Sequence, residues 1–187
     1  KLDDVINEQR NVIYHLRNRV LTEQNQIPII LPLLDRAVNS LLDKYCLEDE
    51  IPENWHLGVL KSELNQFLPA SSLEFPDENF DRRVIEKMVA KIVEEYKTMV
   101  EPSSDNLKLQ GALKGAIIFI IDRNWIRHLE NMNRLKEGIG MRHYQQEDPM
   151  RIYQREGLEL FEMAYFKISK EISIQFAELR KLSELQE

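Results

Sequence analysis

No proline interrupts this chain between Pro102 and Pro149, and none follows Pro149. Proline ends or kinks a helix, so a proline-free stretch whose apolar residues recur every three and four positions can run as one long helix. Both stretches have that period. In the first, Leu109, Leu113, Ile117, Ile118, Ile120 and Ile121 make an apolar middle, and Trp125, Leu129, Met132 and Leu135 continue as one stripe. This predicts a helix from Asp105 to about Lys136, closed by Gly138 and Gly140. In the second, Tyr153, Gly157, Leu160, Phe161, Ala164, Ile168, Ile172, Phe176, Leu179 and Leu182 step by three and four. Asp148-Pro149 reads as its start, with the acid at the N-cap and the proline in the first turn. Two long helices joined by the short 138–148 loop run antiparallel to share their stripes.

The N-terminal segment is also helical. Leu2, Val5, Ile6, Val12, Ile13, Leu16 and Val20 draw a narrow apolar stripe, with Glu8, Arg10, Arg17 and Arg19 on the other face. Residues 25–104 differ in texture, since Pro28, Pro32, Pro52, Pro69, Pro76 and Pro102 all fall there. They predict shorter pieces: a helix over 33–45, another over 55–68, and a third capped by Asp77 and carrying Phe80, Val84, Met88, Val89, Ile92 and Tyr96. Ile27 to Leu31 is the best strand candidate, and Pro28 counts against it. The fold class is all-α: a long helix, a small inserted helical subdomain and an antiparallel long-helix hairpin.

Much chemistry is excluded. The sequence has no P-loop, no Gly-rich dinucleotide fingerprint, no HExxH and no GxSxG. Cys46 is the single cysteine, so neither an internal disulfide nor a zinc signature is available, and a reducing, cytosolic compartment is the simplest inference. His128 has no Ser or Cys beside it and reads as a structural histidine. Cys46 reads as a small buried apolar group. Gly115 to Ile121 is the longest apolar run, too short for a membrane span of about 20 residues. The net charge of −7 argues against a nucleic-acid partner. The chain starts at Lys1 rather than Met, with no basic leader, and reads as a fragment or processed product.

The charge is uneven. Between Arg123 and Arg155 stand Arg123, Arg127, Arg134, Lys136, Arg142, Arg151 and Arg155 against Glu130, Glu137, Glu147 and Asp148. Seven minus four leaves +3 at the hairpin end of an acidic chain. Met141 and Tyr144 sit in that loop, and exposed Met and aromatic residues near Arg are interaction chemistry.

Two sets of residues stand out. The first is Asp3-Asp4-Val5-Ile6-Asn7-Glu8-Gln9-Arg10 with Val12-Ile13-Tyr14. The second is Asp122, Trp125, His128-Leu129, Met132 and Leu135, then Gly138-Ile139, Met141-Arg142, Tyr144, Gln146 and Asp148-Pro149, continued by Tyr153, Arg155-Glu156, Phe161 and Met163. Both resemble the C-terminal helical region of SecA, the bacterial preprotein translocase ATPase, and Glu53-Asn54-Trp55 adds a weaker match.

The resemblance implies a division of labour. Residues 1–24 would be the long scaffold helix, 25–104 the helical wing, and 105–187 the scaffold continuation with a two-helix finger tipped by 138–148. Scaffold contact with the motor domains would involve Arg10, Tyr14, Trp125, His128 and Met132. Met141, Arg142, His143 and Tyr144 would meet a SecY-type channel and the translocating preprotein. This chain would hold no cofactor and catalyse nothing; ATP and Mg would belong to motor domains elsewhere in the parent. The protein would be cytoplasmic and peripheral at the membrane, where the basic hairpin end suits an anionic surface. His143 and Gln145 flank the tip tyrosine where housekeeping members carry Gly and Ala, which points toward an accessory SecA. The other reading is a stand-alone helical adaptor that binds partners through amphipathic faces.

Overall fold

The computed structural model describes residues 1–141 and 146–186. It is all-α, and no strand occurs among the described residues. Six α-helices follow in order within them: α1 (Leu2–Thr22), α2 (Ile27–Tyr45), α3 (Leu57–Leu64), α4 (Arg82–Val100), α5 (Leu107–Gly140) and α6 (Pro149–Glu184). Single 3-10 turns at Pro52–Asn54 and Glu101–Asp105 join some of them. No helix among the described residues is long and apolar enough to cross a membrane. The chain divides into two compact units, one of Lys1–Gln24 and Lys114–Ile168, the other of Asn25–Leu113 and Ser169–Glu187. Helices α5 and α6 each contribute to both.

The first unit is built from α1, the larger part of α5 and the first part of α6. The pairing fixes their directions. His128 stacks near Phe161, Met132 faces Gly157, and Ile139 clusters with Ile152, so α5 and α6 run antiparallel. Arg17 reaches Asp122 and the Leu21 carbonyl accepts from Lys114 Nζ, so α1 also runs against α5. Met132, Ile139, Ile152 and Tyr153 form a buried cluster that Leu2, Val5, Ile6, Leu135 and Leu160 cover. Each fully buried side chain of this kind is worth roughly 1.5–3 kcal/mol.

The second unit packs α2, α3 and α4 with the start of α5 and the end of α6. Its core includes Ile30, Leu34, Leu41, Leu60, Ile85, Val89, Leu113 and Phe176, all nearly inaccessible. Tyr96 on α4 meets Phe176 edge-on at 6.4 Å. Polar ties also cross the unit: the Gln26 backbone amide donates to Gln110 Oε1 at 2.7 Å, Lys97 Nζ pairs with Asp35 at 2.8 Å, and Arg82 pairs with Asp43. Cys46 is buried and unbridged, and burial pushes its thiol pKa up.

Several expected boundaries move. Helix α2 begins at Ile27 rather than 33, so the strand candidate is helical. Pro28 stands in the first turn, where its missing N–H has no intrahelical acceptor to lose. Pro32 removes only the bond to the Pro28 carbonyl. Burial of Ile27, Ile29, Ile30, Leu33 and Leu34 offsets that loss. The helix expected over 55–68 is confined to Leu57–Leu64, because Trp55 instead caps the preceding 3-10 turn, donates Nε1–H to the Leu47 carbonyl and meets Phe80 edge-on. Helix α4 is capped by Asp81, whose Oδ1 accepts from the Val84 amide at 3.1 Å, not by Asp77. Asn106 Oδ1 accepts from the Leu109 amide, α5 starts at Leu107 rather than Asp105, and it continues through Gly138 to Gly140. At α6 the expectation holds: Asp148 Oδ1 accepts from the Met150 amide at 3.1 Å.

Candidate functional site

The three helices of the first unit are tied by one buried polar chain. His128 Nε2 lies 2.6 Å from Gln9 Oε1, and Gln9 Nε2 donates to the Gly157 carbonyl at 3.2 Å. The acceptor at Gln9 assigns the proton to Nε2 of His128. His128 is 1% exposed and Gln9 6%. The rings of Trp125 and Phe161 each have their centroid 5.5 Å from that of the imidazole. Desolvation lowers the His128 pKa from 6.5 to about 4, so the ring is neutral at physiological pH.

At Gly157, α6 faces the Met132 side chain of α5. A Cβ there would stand 2.8 Å from Met132 Cε and 3.5 Å from its sulfur. The absence of a side chain therefore lets Met132 fill the space beside the polar chain. Gln9 was missed by the apolar reading of α1. It holds the stripe position between Ile6 and Ile13, whereas Val12 is largely exposed. A polar residue on an apolar stripe was the available signal, and His128 carries the same one between Trp125 and Met132.

A surface seam lies between α1 and α5. Arg17 Nε and Nη2 grip both oxygens of Asp122, at 2.9 and 3.1 Å. That pair raises the Arg17 pKa. Tyr14, Asn18, Trp125 and Ile126 complete a groove of about 380 Å³ around it. Tyr14 and Ile126 are exposed, and Phe119 on the same face of α5 is 63% exposed, with the Arg123 guanidinium over its ring. Tyr14, Ile126 and Phe119 thus put three large apolar side chains at this surface, with Arg17, Asp122 and Arg123 beside them.

The expected contact residues thus take different places. Trp125, His128 and Met132 are packed inside the unit, Tyr14 is at its surface, and Arg10 is partly covered and donates to Asn7 at 2.8 Å. At the hairpin end Met141 is 78% exposed. Arg142, His143 and Tyr144 lie outside the described residues. Beyond the loop, Arg155 bonds Glu147 and holds its carboxyl pKa below the usual range. Among the described residues no group of three or more His, Cys, Asp or Glu could hold a metal ion.

Residues 1–180 match the SecA Wing and Scaffold domain. The chain belongs to the SecA family. A protein translocase subunit SecA 2 of Geobacillus thermodenitrificans is 43% identical over 187 residues, all of this chain and 24% of that protein. A SecA 2 of Bacillus cereus is 41% identical over 92% of this chain and 22% of its own length. A SecA subunit of Finegoldia magna is 32% identical over 87% of this chain and 18% of its own length. The chain therefore spans about a quarter or less of these SecA relatives.

Proposed function

We propose that this chain is the non-catalytic coupling part of a SecA-type, ATP-driven preprotein translocase. The match to the Wing and Scaffold domain over residues 1–180 carries the reading. In it, the three-helix unit serves as a strut, and the Tyr14, Ile126 and Phe119 seam docks on the motor domains that bind ATP and Mg elsewhere in the parent. The hairpin end, with Met141, Arg142, His143 and Tyr144, engages a SecY-type channel and the preprotein at the cytoplasmic face of the membrane. An aromatic ring there presses on any polypeptide without reading its sequence.

The polar chain through Gln9, His128 and Gly157 suits this role. A strut must move as one body to transmit force, and a buried hydrogen bond between helices fixes their register. The accessory branch of the family is favoured by His143 and Gln145 at the tip and by 43% and 41% identity to proteins named SecA 2.

Tyr144→Ala in the full-length parent tests the tip. The expected result is impaired preprotein translocation with unchanged thermal unfolding. Translocation at the wild-type rate would remove the aromatic tip from the account.

A further inference from the structure

A second groove of the first unit lies between α5 and α6 and encloses about 300 Å³. Its rim carries Arg127 and Arg134 from α5 and Lys167 from α6, against one carboxylate, Glu130. Three minus one leaves +2 along a short concave surface. Arg127 and Lys167 make no ion pair among the described residues and are exposed, while the nearest partner of Arg134 is Asn131 at 3.5 Å. Leu160 and Ala164 supply an apolar lining, with Met163 exposed beside them. His128 also lines the groove, and its buried Nδ1 has no hydrogen-bond partner among the described residues.

Such a lining asks for carboxylates at the rim with an apolar group between them. A polypeptide carries both. A flat layer of anionic lipid headgroups offers the charge but does not enter a concavity. We infer that the α5/α6 groove docks an acidic amphipathic peptide segment of a protein partner, with its carboxylates on Arg127, Arg134 and Lys167. Arginine and lysine from two different helices fix the segment across the groove, so its affinity depends on both helices at once. This surface is separate from the Tyr14 and Ile126 seam, and the inference does not depend on the motor reading.

The test uses the whole chain and a fluorescein-labelled amphipathic peptide of Glu, Leu and Ala, followed by anisotropy. A version with Gln for every Glu and vesicles of phosphatidylglycerol are the comparisons. Binding of the acidic peptide is expected to weaken with salt, and to fall about tenfold in Arg127→Glu and again in Lys167→Glu. Arg151→Glu, at the hairpin end, is expected to leave it unchanged. The double reversal is expected to bind a Lys-for-Glu peptide instead, which shows that the variant is folded. Equal binding of the Gln peptide would overturn the inference. So would indifference to Arg127→Glu, an equal loss in Arg151→Glu, or vesicle capture through the same two cations without peptide binding.

Discussion

His128 Nε2 and Gln9 Oε1 meet at 2.6 Å across a sequence separation of 119 residues, and both side chains are buried. The contact joins the first helix of the chain to the long hairpin and decides much of what can be measured on the first unit.

The pair is predicted to be coupled. Gln9→Leu leaves the His128 N–H buried without an acceptor, and His128→Leu leaves the Gln9 oxygen buried without a donor. Each single change should cost about 1–3 kcal/mol in urea unfolding. The double variant should cost less than the sum, since it removes both unsatisfied groups at once. Strict additivity would mean that the two side chains do not bond.

Stability should fall on mild acidification. The folded state holds His128 neutral with a pKa of about 4, whereas the unfolded chain takes up the proton near 6.5. The unfolded state then binds more protons between those values, so stability is full above about 6.5 and declines as pH falls toward 4. The loss attributable to this ring is on the order of 3 kcal/mol. Comparing unfolding at both ends of that window in wild type and His128→Leu isolates it. An unchanged pH dependence in the variant would contradict the buried neutral ring.

Gly157 separates space from backbone freedom. Gly157→Ala should be near neutral, because Ala is favoured over Gly in a helix by about 1 kcal/mol and the obstructing atom is the flexible end of Met132. Gly157→Leu should destabilise by about 1–3 kcal/mol through overpacking. Adding Met132→Ala should recover part of that loss in thermal unfolding.

In the second unit, the two candidate caps of α4 give opposite outcomes. Asp81→Ala should cost about 1 kcal/mol, since Oδ1 satisfies the Val84 amide. Asp77→Ala should change stability by less than about 0.5 kcal/mol. Urea denaturation of the two variants distinguishes them.

The legible parts of the fold were those where one local rule acts alone. Long, proline-free apolar periods announced α5 and α6, and Asp148-Pro149 announced the start of α6. Where two rules compete, the local one misled. The prolines at 28 and 32 argued against a helix that buried Ile27, Ile29 and Ile30 hold in place. Trp55 had helical spacing but found its indole acceptor at the Leu47 carbonyl, outside any helix. The Gln9–His128 bond was illegible as a pair, because nothing in one helix says which residue of another will stand opposite. Their position on apolar stripes marks them singly as buried polar groups in need of a partner.

The proposed coupling of this chain to a motor that hydrolyses ATP can be measured directly. The direct measurement is ATP turnover by the parent's motor domains with and without the chain, alongside binding of the two. Binding and a changed turnover are predicted, both weakened by Ile126→Asp in the exposed seam, with the Gln9–His128 contact intact. Motor domains that neither bind the chain nor alter their turnover in its presence would contradict the account.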